Sequence, residues 1–236
     1  MKCSSTVSIF LLGFVAAGCQ NENNTAAVDT TPEPAPVVEQ ATPISNSPAA
    51  TGPQTTTEAS LLSASDWVVL FDGHDLASFD RLGEAQWNIV DGYVEADDYM
   101  SSFLLSRGAY TNFRLRVEFW PGPGANSGVF IRCDDRNVVQ PAHNKCYEIN
   151  IFDNNPNNPA NSTGAIVNFV PPAVSVEAEQ QWNVLDIVAN GSDIAVTLNG
   201  IVTAELKGDD THAAGPFALQ NHGGVIRFRR IELQPL

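Results

Sequence analysis

Basic side chains are scarce in this sequence. Its 236 residues include 12 lysines and arginines against 27 aspartates and glutamates, which gives a formal net charge of −15. Binding to nucleic-acid phosphates and electrostatic docking on anionic lipids both depend on basic patches. The composition therefore excludes nucleic acid as the main partner and argues against a charged lipid surface.

A long hydrophobic run is also missing. The mostly apolar residues 7–17 are too few for a membrane-spanning helix, which needs about 20 residues, but they suit the core of a signal peptide. The run ends in AAGC at Cys19, which resembles the bacterial lipobox. We predict that residues 1–19 are a lipoprotein signal peptide, lipidated at Cys19, in an exported protein anchored in the outer membrane. An ordinary secretory signal cut near Ala17 is the alternative.

Residues 20–60 contain no aromatic residue, leucine, lysine or arginine, but they hold six of the 15 prolines. Such a segment cannot bury enough apolar surface to offset its chain entropy. We predict a disordered tether over residues 20–60, followed by one domain over residues 61–236.

Cysteine is rare in the predicted domain, which contains only Cys133 and Cys146. In an oxidising compartment the two could form a disulfide. The alternative is that they point to opposite faces of a sheet, which disulfide geometry does not allow. Metal-binding motifs are absent, so we predict no cofactor and no metal site. A structural calcium bound by aspartate pairs such as 134–135 is the one ion that the sequence leaves open.

Helical periodicity is absent from the domain as well. Residues 112–120 alternate between apolar and polar side chains, and the dipeptides at 91–92 (DG) and 199–200 (NG) are typical of two-residue hairpin turns. Short strands separated by such turns predict an all-β fold with two sheets packed as a sandwich. The jelly roll is the commonest large form of that fold.

Polar side chains on one strand suggest a binding cleft. Residues 147–153 read YEINIFD, and strand alternation puts Glu148, Asn150 and Phe152 on one face with Asp153 just beyond. Residues two apart on a strand are about 7 Å apart, a spacing that suits a sugar-sized cleft. The alternative is a solvated outer face.

Two further strands carry matching polar positions. Arg132 ends the strand at 126–132, and the alternation of that strand puts it on the same face as Phe130. Gln220 and His222 alternate with apolar residues in the same way.

Taken together, these segments resemble the 3-keto-disaccharide hydrolase domain family. The resemblance covers residues 66–236, where the following blocks occur in the family's order: VVLFDGHDL at 68–76, WNIVDGYV at 87–94, FRLRVE at 113–118, NSGVFIR at 126–132, YEINIFD at 147–153, TGAI at 163–166 and LQNHG at 219–223. It implies a concanavalin-A-like jelly roll that acts on glycosides oxidised at C3. A ketone at C3 acidifies the C2 proton, so a base can remove that proton and expel the C1 substituent, after which water adds back.

The resemblance also suggests roles for individual residues. Glu148 is the candidate acid–base catalyst, and Arg132 and His222 would stabilise the enolate or share the proton transfer. Residues assigned to substrate binding are Asn126, Asn150, Gln220, Phe152 and Asp153. The expected partners are a carbohydrate substrate and a sugar 3-dehydrogenase acting upstream.

Two other functions remain open at this point. A retaining glycosidase of the laminarinase type would need a second carboxyl group about 5–5.5 Å from Glu148. A carbohydrate-binding module or lectin would use the same fold without catalysis.

Overall fold

The computed structural model describes residues 67–137, 144–153 and 155–236. The predicted signal peptide, Cys19, the predicted tether and the first six residues of the predicted domain, 61–66, lie outside these ranges. In the described part of the chain, no helix is both long and apolar enough to cross a membrane.

Almost all regular structure in the described ranges is β. The strands, in chain order, are β1 (Val68–Phe71), β2 (Phe79–Leu82), β3 (Asn88–Val90), β4 (Tyr93–Asp97), β5 (Ser102–Ser106), β6 (Phe113–Pro121), β7 (Ser127–Ile131), β8 (Tyr147–Ile151), β9 (Asn183–Asn190), β10 (Asp193–Leu198), β11 (Ile201–Leu206), β12 (Ala218–Asn221) and β13 (Val225–Pro235). A short 3-10 helix, Pro159–Asn161, lies in the loop after β8.

The strands form two antiparallel sheets. The eight-stranded sheet has the order β11-β10-β9-β6-β13-β4-β3, with β1 also paired to β13, and the five-stranded sheet has the order β2-β5-β12-β7-β8. The predicted two-sheet sandwich is therefore confirmed. Strands that are distant in sequence are neighbours in both sheets, as in a jelly roll.

Local sequence explains much of this arrangement. Strand β6 buries every second residue, so that Phe113, Leu115, Val117 and Phe119 pack into the core between the sheets. The turns Asp91-Gly92 and Asn199-Gly200 have positive φ at both residues, as type I′ hairpin turns require. These turns fix the β3–β4 and β10–β11 hairpins in the expected register.

The five-stranded sheet is buried on both of its faces. Its inner face, with residues such as Leu104, Val129 and Leu219, contributes to the main core. The opposite side, which we call the outer face, carries a second buried cluster of Phe103, Leu105, Phe130, Cys133, Cys146 and Ala218. Phe103 and Phe130 pack edge to face in this cluster, with ring centroids 5.4 Å apart. Polar side chains on the outer face therefore stand beside apolar surface.

Candidate active site

Strand register brings three of the predicted site residues together on the outer face. Glu148 of β8 lies opposite Phe130 of β7, and Asn150 lies opposite Gly128. Ala218 of β12 pairs with Phe130 on the other side. Gln220 of β12 pairs with Phe103 of β5, a residue of the outer-face cluster, so its side chain also points to the outer face. Glu148, Asn150 and Gln220 thus share the outer face, on either side of β7.

Gly128 lets the Glu148 carboxylate approach the sheet closely. A Cβ atom added there would lie 3.1 Å from Oε1 of Glu148 and 3.3 Å from Cε2 of Phe130. The carboxylate therefore leans over a position where the sheet carries no side chain. We call the site around this glycine, bordered by Glu148, Phe130 and Gln220, the Gly128 notch.

Glu148 has an unusual proton affinity. Its side chain is partly buried, and this burial raises the pKa of Glu148 from 4.5 to about 7, because a low-polarity environment disfavours the charged form. No hydrogen bond to its carboxylate is seen from any residue in the described ranges. A carboxyl group with a near-neutral pKa and free oxygens can both remove and return a proton at physiological pH.

Gln220 presents a polar group without a partner. Its side chain is 8% exposed, and Oε1 accepts no hydrogen bond from the described residues. An unpaired buried oxygen of this kind costs about 1–3 kcal/mol, so it is seldom retained without a use. A hydroxyl of a bound ligand in the notch would satisfy it.

His222 follows Gln220 at the next outer-face position. Its imidazole is exposed, and Nδ1 lies 2.5 Å from Oγ of Ser101, while its backbone N–H donates to the carbonyl of Asn126. His222 and Asn126, joined by this backbone hydrogen bond, therefore lie just beyond Gln220 at the end of β12.

The predicted placement of Arg132 on the cleft face is wrong. Its backbone has a φ of +52°, which breaks the alternation that would have kept it beside Phe130. The guanidinium is buried and donates to the carbonyls of Thr111 and Gly191, both of which flank strands of the eight-stranded sheet. Arg132 therefore ties the two sheets together and does not face the notch.

Two predicted substrate-binding residues are occupied by contacts within the protein. The carboxylate of Asp153 accepts hydrogen bonds from Thr163 Oγ1 and from the backbone N–H groups of Ala178 and Glu179. Asn150 donates to the carbonyl of Asn161. Both side chains anchor the long segment after β8, which corrects their assignment as sugar ligands.

The remaining predicted residues are placed as follows. Phe152 lies just beyond the end of β8, partly buried, and its backbone N–H donates to Thr163 Oγ1. Cys133 and Cys146 form a disulfide, with their Cα atoms 4.2 Å apart. No cluster of three or more potential metal ligands occurs in the ranges that the structure describes. The calcium expectation is not tested by this observation.

Sequence reasoning did not single out Gly128 or Ser101. Gly128 lies within the segment 126–132 and was given no role of its own, although a glycine inside a strand often marks close approach by another group. Ser101 carries no motif, and only the register between β5 and β12 brings it to His222.

A model of the 3-keto-alpha-glucoside-1,2-lyase-like domain matches residues 66–234. Among curated proteins, none matches this sequence.

Solved structures share the architecture. A candidate glycosyl hydrolase from Parabacteroides distasonis ATCC 8503 is 27% identical, with a TM-score of 0.62 over 72% of this chain and 99% of that one. A second candidate glycosyl hydrolase from the same organism is 16% identical, with a TM-score of 0.63 over 72% and 94%. The exoplasmic/lumenal domain of VIP36, solved with Ca²⁺ and mannose, is 10% identical, with a TM-score of 0.54 over 74% and 91%. The last two likenesses concern the fold alone.

Proposed function

We propose that this chain, which belongs to the 3-keto-alpha-glucoside-1,2-lyase-like domain family, cleaves glycosides whose sugar ring carries a ketone at C3. Family membership itself indicates action on glycosides. The keto-sugar substrate, the elimination route and the residue roles described below are the proposal.

The reaction proceeds in two stages. Glu148 as a carboxylate removes the proton from C2, and the electron pair moves toward the C3 ketone to form an enolate. The enolate then collapses, the bond between C1 and the glycosidic oxygen breaks, and the leaving oxygen takes a proton from His222. Water adds to C1 of the resulting unsaturated ketone and gives one proton back to His222, while the proton held by Glu148 returns to C2. The net result is hydrolysis.

One observation carries this proposal. Glu148 is an acid with a pKa of about 7 that leans over Gly128, on the same face as the unpaired oxygen of Gln220. A base with that pKa matches the task of removing a carbon-bound proton that a ketone has acidified. Asn126 and Gln220 would bind ring hydroxyls, and His222 would donate to the leaving oxygen or to the enolate.

The retaining-glycosidase alternative is less well supported. It needs a second carboxylate close to Glu148, and Asp153 is the next carboxylate along the same segment. Asp153 is instead bound by three donors of the protein itself. Asp80, on the outer face at the far edge of the same sheet, is paired with Arg107 and Arg136.

Incubation of the full-length chain with a 3-keto-disaccharide tests the function. We expect release of the unoxidised sugar together with the 3-keto monosaccharide, and exchange of the C2 proton with deuterium from the solvent. Saturable binding without release or exchange would favour the lectin alternative. Cleavage of the unoxidised disaccharide at an equal rate would favour an ordinary glycosidase.

The origin of the substrate and the location of the protein are also part of the proposal. Because the ketone must be made before cleavage, a sugar 3-dehydrogenase must act first. We propose that Cys19 carries a lipid that holds the protein at the outer membrane. Replacing Cys19 with Ala should then move the protein from the membrane fraction to the soluble fraction, and unchanged fractionation would contradict the lipid anchor.

A further inference from the structure

The outer face of the five-stranded sheet is closed at one end and open at the other. On the Arg132 side of the notch, Phe130, Ala218 and Leu105 are almost completely buried together with the Cys133–Cys146 disulfide. In the opposite direction, burial decreases from Gln220 to His222, which is exposed. The exposed end of the outer face therefore lies toward His222.

An exposed aromatic ring stands at the open end. Tyr99, in the turn between β4 and β5, is 81% exposed. Its ring lies against Gly223, and a Cβ atom added to that glycine would be 3.5 Å from Cδ1 of Tyr99. The hydrogen bond between Ser101 and His222 ties the same turn to β12. Tyr99 is thus held next to His222 and not at a remote surface.

We infer that Tyr99 forms a leaving-group subsite, in which its ring stacks on the apolar face of the sugar that is expelled from C1. This inference rests on the proposed function, because it assumes that the oxidised ring occupies the Gly128 notch. A pyranose presents C–H bonds on its face and hydroxyls at its edge. A tyrosine ring can pack against the C–H face, and its hydroxyl can bind the hydroxyls at the edge, because tyrosine has an apolar body with a polar tip.

The subsite predicts selectivity for the leaving group. A substrate whose leaving group is a sugar would contact Tyr99, whereas a substrate whose leaving group is methanol would end before reaching it. The protein should therefore favour 3-keto-disaccharides over a methyl 3-keto-glucoside, and the preference should depend on residue 99.

The test compares kcat/KM of the full-length chain and its variants on these two substrates. We expect Tyr99→Ala to reduce kcat/KM for the disaccharide by about tenfold, the upper end of the effect of one aromatic contact, and to leave the methyl glycoside unchanged. Tyr99→Phe should keep the preference, because the ring remains. Met100→Ala is the matched control, since Met100 is the adjacent residue, is 60% exposed and should affect neither substrate.

Each outcome decides the inference. If Tyr99→Ala lowers kcat/KM equally for both substrates, or does not lower it for the disaccharide, the subsite inference is wrong. If the wild-type chain cleaves neither substrate, the proposed function is wrong. Binding of the unoxidised disaccharide then tests the subsite separately. In that case, weaker binding by Tyr99→Ala than by Met100→Ala would support a sugar-stacking role, and equal binding would overturn it.

Discussion

The two sheets present outer faces of opposite character. On the eight-stranded sheet, charged and aromatic side chains are abundant, and they satisfy one another. Asp186 accepts from both Arg114 and Arg116, while Arg227 pairs with Glu95 and stacks 4.3 Å from the ring of Trp120. The outer face of the five-stranded sheet has fewer charges, yet there Glu148 and Gln220 lack partners among the described residues.

This contrast shows where chemistry can take place. A carboxylate that already accepts hydrogen bonds from arginines has a fixed charge and stabilises the structure. A carboxylate next to apolar rings keeps its proton near neutral pH and has free oxygens. The face with more ionisable groups is therefore the less reactive one, and the following four predictions test this conclusion.

The largest expected effect is on catalysis. Glu148→Gln keeps the shape of the side chain but removes its titratable proton, so we expect turnover of a 3-keto-disaccharide to fall about 10²- to 10⁴-fold. The control is Glu118→Gln, which changes a carboxylate on the other sheet's outer face that pairs with Arg229. Turnover should be near normal in that variant. Near-normal turnover in Glu148→Gln would remove Glu148 from the mechanism.

The same substitution should change the pH dependence of stability. Because the folded-state pKa of Glu148 is raised from 4.5 to about 7, the folded protein binds more protons than the unfolded chain between these values, and its stability falls as pH rises through that window. The Glu148→Gln variant lacks this loss. Its free energy of unfolding should exceed that of the wild type by about 3 kcal/mol above pH 7, and this difference should disappear as the pH approaches 4.

Urea unfolding at pH 4 and pH 8 measures this difference. Glu177→Gln, at an exposed position in the loop before β9, serves as the control for the loss of one carboxylate. If the curves of Glu148→Gln and the wild type differ equally at both pH values, burial does not perturb Glu148.

Filling the notch should have a smaller but specific effect. Gly128→Ala places a methyl group 3.1 Å from Oε1 of Glu148, so the carboxylate must move. A misplacement of about 1 Å can cost on the order of 10²-fold in rate, so this smaller shift should cost less than that. The double variant with Glu148→Gln should be no slower than Glu148→Gln alone, because both changes act on one group. Additive losses would mean that Gly128 acts elsewhere.

The smallest effect is expected on the opposite face. Asp186→Asn weakens the contacts with Arg114 and Arg116, which are partly exposed, and should lower the free energy of unfolding by about 1 kcal/mol. Activity on the keto-sugar should stay unchanged. Urea unfolding measures the change in stability, and a turnover assay on the same preparation measures the activity. A loss of activity would contradict the conclusion that the outer face of the eight-stranded sheet takes no part in catalysis.

Much of the fold could be predicted because its determinants are local. The hairpin turns at Asp91-Gly92 and Asn199-Gly200 and the alternation of β6 depend on residues that are close in sequence. The strands β2 and β5 carried no clear pattern, since β5 is buried on both faces and therefore does not alternate.

The site was harder to predict because its contacts are long-range. Alternation predicted that Glu148, Gln220 and His222 share one face; the strand pairs place Glu148 and Gln220 on the outer face, and His222 lies just beyond the end of β12. The predicted placement of Arg132 was wrong because its single positive φ reverses the direction of the side chain, and sequence periodicity does not reveal such a φ. The hydrogen bonds of Asp153 could not be predicted because their donors, Thr163, Ala178 and Glu179, lie in loops 10 to 26 residues later in the chain.

The closed end of the outer face has a consequence for polymeric substrates. If the oxidised ring sits over Gly128, the buried cluster around Phe130 leaves no room for a second sugar on that side. A glycan can then enter only with its oxidised terminal unit first, and its remaining units point outward past His222. Under the proposed function, the protein would then release only the oxidised terminal unit, and each further unit would have to be oxidised before it could be cleaved.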